Sequence, residues 1–236
     1  MKVVLDHTRD EAANIRTFVF RPERAVHFTA GQFAEWTLKH DAADDRGNKR
    51  WFTISSSPTD EFISLTTKYA GDDKASSFKK ALFRLKPGDE MLMSDPMGDF
   101  VLPKLLQTPL VFVAGGIGIT PFHSILEWLA ATGEERPIKL IYAVNNEDEI
   151  IFLDSFERAR QHVTLVVSNP SAAWGGERGQ LSADLILGLE KPSNDTLIYV
   201  SGPEPMVEAL QKELRHAGLN RQQFVGDYFP NYSIDY

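Results

Sequence analysis

The sequence contains no cysteine, and this absence excludes several kinds of chemistry. The chain cannot form a disulfide, hold a thiolate-ligated iron–sulfur cluster or use a cysteine nucleophile. No metal site is expected either. A cytoplasmic location is the natural expectation for such a chain, although a lack of cysteine is compatible with other compartments.

Long apolar runs and an excess of basic charge are lacking as well. No apolar stretch approaches the roughly 20 residues that a helix needs to cross a membrane. The first residues lack the apolar core and cleavage site of a signal peptide. The formal net charge is −8 at pH 7, which argues against nucleic-acid binding through a broad basic face. We therefore expect no membrane span and no nucleic-acid partner.

The first part of the chain, up to about Leu102, alternates short apolar segments with turns, which is typical of β-strands. The segments that we predict to be strands are residues 17–20, 33–38, 62–68 and 90–94. A short helix is predicted around residues 76–82, and the acidic residues 41–49 are predicted to form an exposed loop. Several short strands with regular turn signals favour a small antiparallel barrel or sandwich.

After Pro103, predicted strands and helices alternate along the chain. The predicted strands are residues 110–114, 138–144, 163–167 and 197–200. The predicted helices are residues 121–131, 150–160 and 203–217. This alternation indicates an α/β domain with a parallel sheet and helices on both faces. We therefore predict two domains, residues 1–104 and residues 105–236.

The sharpest local signal lies at residues 114–121, which follow the first strand of the second part and open its first helix. Gly116 and Gly118 remove side chains where a ligand could approach. Thr120 can cap the helix, and Pro121 suits its first turn. The exposed amides and the helix dipole there favour a bound phosphate. Because Pro121 occupies the place of the third glycine of the dinucleotide fingerprint, a tight turn without a ligand is the alternative.

A second turn of this kind, Gly202 followed by Pro203, comes after Ser201 at the end of a later strand. Ligands of open parallel sheets bind at the carboxyl ends of the strands. The two turns could therefore line the same crevice. Good helix capping without a ligand is the alternative for this turn.

The third signal is the segment Arg50-Trp51-Phe52-Thr53 in the β part. Strand alternation places Arg50 and Phe52 on one face and the other two residues on the opposite face. An arginine offers a fork of donors for phosphate, an aromatic ring can stack on a planar ring, and a hydroxyl can bond a ring nitrogen. An ordinary strand with a solvated arginine is the alternative.

Six motifs in this order resemble the ferredoxin–NADP reductase superfamily of flavoproteins, in its form without an iron–sulfur domain. They are Ala-Gly-Gln-Phe at 30–33, Arg-Trp-Phe-Thr at 50–53, Leu-Lys-Pro-Gly-Asp at 85–89, Pro-Met-Gly-Asp-Phe at 96–100, Gly-Gly-Ile-Gly-Ile-Thr-Pro at 115–121 and Ser-Gly-Pro-Glu-Pro-Met at 201–206. The resemblance spans nearly the whole chain. It implies a flavin-binding β-barrel in residues 1–104 and an NAD(P)-binding α/β domain with an aromatic C-terminal tail in residues 105–236.

The resemblance implies that the flavin is FAD, and it places each flavin contact on a matching residue. Arg50 would hold the phosphate, Phe52 would stack on the isoalloxazine ring, and Thr53 would bond near N5, the atom that receives hydride. Amides at the start of the short predicted helix would hold the pyrophosphate. The other candidate flavin contacts are Ala75, Ser76 and Ser77 at that helix start, with Trp51 and Thr67 on the strands.

The resemblance also implies that the glycine loop holds the pyrophosphate of NAD(P)H and that Ser201 lies beside the nicotinamide. Thr53 and Ser201 are therefore the candidate catalytic residues. In the tail, Phe229 or Tyr232 would cover the flavin until nicotinamide displaces it, and simple edge packing is the alternative. The candidate nucleotide contacts are Gly115, Gly116, Gly118, Thr120, Pro121, Gly202, Pro203 and Met206.

Two departures from the family pattern affect the implied chemistry. Ser201 replaces a cysteine often found beside nicotinamide C4, and Phe52 lacks a tyrosine hydroxyl. The donor, NADH or NADPH, stays open at this point. Acidic residues at 147–149 could bond a ribose diol and would repel a 2′-phosphate, which favours NADH, whereas Arg178 offers a phosphate contact. Solvated residues at a helix start are the alternative for these acids.

The implied reaction passes hydride from NAD(P)H to bound FAD and then electrons to a separate acceptor, since the flavin performs the redox chemistry. The acceptor could be a ferredoxin or flavodoxin, a partner oxygenase, or a small acceptor such as a ferric chelate, free flavin or oxygen. The alternative function is a non-catalytic flavin- or nucleotide-binding subunit that relays electrons or senses redox state. The oligomeric state and the pathway are not determined by the sequence.

Overall fold

The computed structural model describes residues 1–41 and 43–229 and contains two compact units, Met1–Val101 and Leu102–Tyr236. The division follows Val101, whereas the sequence pattern places it after residue 104. The first unit holds an antiparallel sheet and the second a parallel sheet with helices. The predicted fold class is therefore confirmed.

The described residues of the first unit form six strands and one helix. They are β1 (Lys2–Ala12), β2 (Ile15–Pro22), β3 (Phe33–Thr37), β4 (Lys49–Thr53), β5 (Ile63–Lys68), α1 (Ser77–Leu82) and β6 (Glu90–Met93). The strands form one sheet in the order β4-β3-β6-β1-β2-β5, and neighbouring strands run antiparallel. The sequence pattern does not predict β1, because a register shift between Leu5 and His7 interrupts its alternation.

Alternating side chains build the core of the first unit. Leu5 of β1, Phe20 of β2 and Trp36 of β3 are each at most 1% exposed, and the rings of Phe20 and Trp36 pack with centroids 5.4 Å apart. Burial of one such large side chain stabilises a fold by about 1.5–3 kcal/mol. This packing sets the register of β3 and β4, and therefore which residues of β4 face inward.

The second unit alternates strands and helices from Leu110 onward. Its elements are β7 (Leu110–Gly115), α2 (Thr120–Thr132), β8 (Ile138–Val144), α3 (Leu153–Arg158), β9 (Val163–Val167), β10 (Glu177–Arg178), α4 (Ala183–Glu190), β11 (Leu197–Pro203), α5 (Glu204–His216) and β12 (Phe224–Phe229), with 3₁₀ turns at Gly116–Ile119, Glu147–Glu149 and Arg221–Gln223. The sheet order is β10-β9-β8-β7-β11-β12, and every neighbouring pair is parallel.

The parallel sheet is buried on both faces, which explains why its central strands are almost entirely apolar. Val113, Ile141 and Val200 are fully buried in one face. On the other face, the ring of Phe112 stacks on that of Phe122 in α2 at 4.6 Å. The order of strands places β7 beside β11, so the turns that follow these two strands lie at the same edge of the sheet.

In the second unit, α4 (Ala183–Glu190) is not among the predicted helices, and the other helices differ from the prediction mainly in length. The helix predicted at 150–160 covers only Leu153–Arg158, because Phe152 has a φ of 63° and turns the chain just before it. Across residues 1–41 and 43–229, we find no helix that combines the length and the apolar character of a membrane span.

Candidate nucleotide and flavin sites

The glycine loop after β7 forms a 3₁₀ turn, Gly116–Ile119, that runs directly into α2. Gly116 has a φ of +52°, which favours glycine, and a Cβ there would meet no atom within 4 Å. A Cβ on Gly118 would instead lie 2.2 Å from the carbonyl oxygen of Ser201. The space expected for a ligand is therefore present at Gly116, whereas Gly118 allows the loop to pack against β11.

The start of α2 differs from the prediction at Thr120. The N-cap residue is Ile119, and Thr120 lies inside the helix, where its Oγ1 donates to the carbonyl oxygen of Ile117 at 3.1 Å. The predicted capping role of Thr120 is wrong, because the 3₁₀ turn extends the helical backbone to Gly116. Pro121 lies in the first turn of α2, as its missing N–H allows.

The side chain of Met206 joins the two turns. A Cβ on Gly115 would lie 2.4 Å from Met206 Sδ, and a Cβ on Gly202 would lie 2.5 Å from Met206 Cε. Pro203 packs nearby, with its Cδ 3.6 Å from the same Gly115 position. With glycine at both positions, the thioether fits between the ends of β7 and β11, and the two turns lie side by side.

Ser201 is the most unusual polar residue at this edge. It is fully buried in β11, between Ala114 of β7 and Asp227 of β12, and its Oγ has no hydrogen-bond partner. A buried hydroxyl without a partner costs about 1–3 kcal/mol. Such a group is retained where a ligand can complete its bonding, so Ser201 is a strong candidate for a ligand contact.

In the first unit, Arg50 of β4 is held by its own neighbourhood. Its Nη1 donates to the carbonyl oxygens of Arg46, Gly47 and Lys49 at 2.8, 3.2 and 2.6 Å. Its guanidinium also lies 5.4 Å from the ring centroid of Phe78. Only 18% of the side chain is exposed, so the arginine is an ordered cation rather than a solvated one.

The start of α1 lies beside Arg50. Ser76 caps the helix by accepting from the N–H of Lys79 at 3.3 Å. The amide of Ala75 is already bonded to the carbonyl oxygen of Gly71 at 2.9 Å, so this one of the predicted phosphate amides is engaged in the turn. Ser77 is different, because both its N–H and its Oγ contact Asp44, a residue of the acidic loop.

The remaining residues of β4 differ in burial. Phe52 is 7% exposed and packs on Phe78 with ring centroids 5.9 Å apart. Trp51 points the other way, is 58% exposed and lies 6.3 Å from the ring of Phe33. Thr53 is 3% exposed, and its Oγ1 has no hydrogen-bond partner. Thr53 is therefore the counterpart of Ser201 in the first unit.

Thr67, the candidate flavin contact on β5, is fully buried. It shares a face with Ile63 and Leu65, both of which belong to the hydrophobic core. Its side chain is therefore directed toward the core of the unit.

A chain of hydrogen-bonded hydroxyl groups occupies the opposite face of β5. Ser55 Oγ lies 2.9 Å from Ser64 Oγ and 3.0 Å from Thr66 Oγ1. Thr66 Oγ1 lies 2.8 Å from Thr17 Oγ1, and Thr17 donates to Glu11 at 2.7 Å. Sequence patterns do not reveal this chain, because serine and threonine at alternate strand positions are equally common on exposed faces.

Substitution of the central hydroxyl is expected to destabilise the protein. Thr66→Val removes the shared partner of Ser55 and Thr17, and we expect a loss of about 1–3 kcal/mol in the free energy of unfolding. Thr66→Ser keeps the oxygen and should lose much less. Urea denaturation of both variants measures the difference, and equal stabilities would show that the hydroxyl chain contributes little.

A polar cluster occupies the carboxyl ends of β8 and β9. Glu147 accepts the backbone N–H of Ser171 at 2.7 Å, and Arg178 Nη2 donates to the carbonyl oxygens of Ser171 and Trp174 at 3.3 and 2.7 Å. Hydrogen bonds from Ser171, and then the charge of Arg178, hold the pKa of Glu147 below its ordinary value. The sequence pattern points to Glu147 and Arg178 but not to Ser171 or Trp174, whose contribution is through the backbone.

The aromatic tail is described only in part. Phe229 ends β12, where its backbone pairs with Pro203 of β11. Tyr232 lies outside the described residues. Within residues 1–41 and 43–229, no group of three or more histidine, aspartate or glutamate side chains could hold a metal ion.

Comparison with known proteins agrees with this geometry. Residues 112–212 match the family model of the oxidoreductase NAD-binding domain. The chain is 28% identical over 222 residues to the NADH oxidoreductase HCR of Escherichia coli (strain K12), a match that covers 93% of this chain and 66% of that protein. It is 29% identical over 185 residues to the toluate 1,2-dioxygenase electron transfer component of Pseudomonas putida, covering 76% of this chain and 54% of that protein.

A solved structure has the same fold over nearly the full length. The flavohem-like FAD/NAD binding domain of nitric oxide dioxygenase from Vibrio cholerae O1 biovar El Tor aligns with a TM-score of 0.82 and 22% identity, covering 97% of this chain and 98% of that one. The chain spans only 66% and 54% of the two curated relatives named above. The order of the two sheets and the glycine loop after β7 agree with this shared fold, and residues 112–212 belong to the oxidoreductase NAD-binding domain family.

Proposed function

We propose that the chain is a flavin-dependent reductase that takes hydride from NAD(P)H and passes the electrons to a separate acceptor. The observation that carries the proposal is a pair of buried hydroxyl groups without hydrogen-bond partners, Thr53 Oγ1 and Ser201 Oγ. Glu190 Oε2 is the one other such side-chain atom among the described residues, and it lies 2.9 Å from Lys139 Nζ. The two hydroxyls stand at the positions that the family pattern assigns to flavin N5 and to the nicotinamide.

The first unit offers groups that fit FAD. Arg50 is an ordered cation with a fork of donors suited to a phosphate. Ser76 and Ser77 present the start of α1, and Thr53 can donate a hydrogen bond to a ring nitrogen. A bound FAD supplies the redox chemistry, and the protein supplies its binding and orientation. We accordingly assign flavin binding to residues 1–104.

The second unit offers groups that fit a nicotinamide dinucleotide. The left-handed Gly116 keeps the loop backbone open for a pyrophosphate, and α2 begins directly behind it. Ser201 can hydrogen-bond the nicotinamide carboxamide and so orient the ring. We accordingly assign NAD(P)H binding to residues 105–236.

We further propose that NADH is the donor. In open parallel sheets the adenosine ribose lies near the end of the second strand, where an acidic residue bonds its diol. Glu147 follows β8 at this position, and its hydrogen bond from Ser171 keeps the carboxylate ordered. An ionised carboxylate there repels a 2′-phosphate.

The charge of Glu147 gives a direct test of donor choice. Glu147→Gln is expected to raise the preference for NADPH over NADH by about tenfold, the factor that corresponds to 1.4 kcal/mol of charge repulsion. Steady-state kcat/KM with each nucleotide measures the ratio. Asp148→Asn removes the same charge from the adjacent residue and serves as the control. An unchanged ratio in Glu147→Gln would remove Glu147 from the ribose site.

We propose that the acceptor lies outside residues 1–236, because these residues contain no cysteine to ligate an iron–sulfur cluster. One relative is the electron transfer component of a dioxygenase, which favours a partner oxygenase over a ferredoxin, a flavodoxin or a small acceptor. We also propose a cytoplasmic location, where a cysteine-free reductase has access to reduced nucleotides.

Anaerobic mixing tests the whole proposal. The purified, FAD-loaded protein is mixed with NADH and, separately, with NADPH, while the absorbance of oxidised flavin is followed. We expect rapid bleaching, and faster bleaching with NADH. Bound flavin that neither nucleotide bleaches would contradict the reductase function and favour a relay or sensor subunit.

A further inference from the structure

The carboxylate of Asp44 accepts hydrogen bonds from the donors that the proposed function assigns to the flavin phosphate. Asp44 Oδ2 accepts the backbone N–H of Ser77 at 2.8 Å, and Asp44 Oδ1 accepts from Arg50 Nη2 at 3.3 Å. In return, Ser77 Oγ accepts the backbone N–H of Asp44 at 2.9 Å. Asp44 therefore contacts both Arg50 and Ser77 at the start of α1.

The contacts around this set keep Asp44 ordered and ionised. Arg46 donates its backbone N–H to Asp44 Oδ1 at 3.1 Å, and His40 Nε2 lies 3.0 Å from Ser77 Oγ. Burial of Asp44 opposes ionisation, but the hydrogen bonds from Ser77 and Arg46 outweigh it, so the pKa of Asp44 lies below its ordinary value. An ionised carboxylate resembles a phosphate in its charge and in its acceptor oxygens.

A second observation on the same strand points to a ligand. Thr53 lies on β4 with Arg50, is almost fully buried, and has an Oγ1 without a hydrogen-bond partner. The cation at Arg50 is satisfied within the protein by Asp44, whereas the hydroxyl at Thr53 is not. The carboxylate thus bonds the proposed phosphate contacts, whereas the hydroxyl of Thr53, the proposed contact of the flavin ring, has no partner.

We infer that Asp44 is a carboxylate latch, which holds Arg50 and the Ser77 amide when flavin is absent and which the flavin phosphate must displace in order to bind. The inference rests on the proposed function, because it takes Arg50 and Ser77 to be the phosphate contacts. The latch lowers the affinity for flavin, since the phosphate competes with a charge already in place. It also stabilises the flavin-free protein, since it satisfies the buried side of Arg50.

The test compares flavin-free wild type with Asp44→Asn, which keeps the shape of the side chain and removes its charge. Titration with FAD, followed by flavin fluorescence, should give about tenfold tighter binding for the variant, as expected when one competing charge-assisted contact is lost. The thermal midpoint of the flavin-free variant should fall by about 2–4 °C. Riboflavin, which has no phosphate, should bind both proteins equally.

Asp45→Asn is the matched control, because it removes the same charge from the next residue of the loop, whose side chain is exposed. Its affinity for FAD should stay within about twofold of wild type. Equal FAD affinity of Asp44→Asn and Asp45→Asn, or weaker binding by Asp44→Asn, would overturn the latch and leave the reductase function intact. A failure of every variant and of wild type to bind FAD would overturn the proposed function and the latch with it.

Discussion

Gly118→Ala is expected to reduce the rate of flavin reduction by NAD(P)H about 100-fold. The added Cβ would lie 2.2 Å from the carbonyl oxygen of Ser201, a backbone atom that cannot rotate away. The loop and β11 must separate, and a displacement of about 1 Å at a reacting group costs on the order of 100-fold in rate. Overpacking of this kind also lowers the free energy of unfolding by about 1–3 kcal/mol. Anaerobic stopped-flow absorbance measures the rate.

A matched glycine substitution separates loss of geometry from loss of folding. Gly188 lies within α4, and a Cβ there would meet no atom within 4 Å. Gly188→Ala should keep the wild-type rate and raise the free energy of unfolding by up to about 1 kcal/mol, because alanine favours a helix. A wild-type rate for Gly118→Ala in a folded protein would show that the contact with Ser201 does not position the nicotinamide.

Arg50→Met should weaken FAD binding by about 100-fold. Charge-assisted hydrogen bonds contribute about 1.5–3 kcal/mol each, and the guanidinium can offer two donors to one phosphate. Arg50→Lys should bind with intermediate affinity, because lysine keeps the charge but not the fork of donors. Titration of the flavin-free variants with FAD measures these affinities.

Two comparisons identify the phosphate as the group that Arg50 contacts. Riboflavin affinity should not change in Arg50→Met, since riboflavin lacks the phosphate. Lys49→Met removes an exposed cation from the same strand, and Lys49 Nζ lies 2.7 Å from Glu35 Oε1. This variant should keep its FAD affinity within about twofold of wild type. Parallel losses of FAD and riboflavin binding in Arg50→Met would instead show that Arg50 acts by supporting the fold of β4.

Sequence patterns were sufficient where the signal is local. The alternation of strands and helices after Pro103 predicted the parallel sheet, and the motif at 115–121 predicted a turn that opens a helix. The same patterns predicted the wrong role for Thr120. A residue that follows a glycine loop can be the N-cap or lie inside the helix, and here the preceding 3₁₀ turn places Thr120 inside the helix. They also missed β1, whose bulge after Leu5 breaks the alternation.

The acidic loop at residues 41–49 shows a different kind of limit. Its composition predicts a solvated segment, yet Asp44 is half-buried against Arg50 and Ser77. No local pattern distinguishes Asp44 from Asp45, since both are acids in a polar stretch. The distinction comes from the approach of α1 to the start of β4, which brings Ser77 to Asp44 although the two residues are far apart in the chain.

The fold class and the order of the two units could be predicted from the sequence, because periodicity and motif spacing are properties of neighbouring residues. The resemblance to the reductase superfamily implied Thr53 and Ser201 as candidate catalytic residues. The pairing of polar groups, in contrast, could be seen only in the folded chain. The fold shows that the buried hydroxyls of Thr53 and Ser201 have no hydrogen-bond partners. It also shows that a side chain at Gly118 would collide with the carbonyl oxygen of Ser201, and that Asp44 bonds the proposed phosphate contacts. These facts depend on strand register and on contacts across the fold, and burial makes them energetically important, since a polar group removed from water must find its partner within the protein or in a ligand.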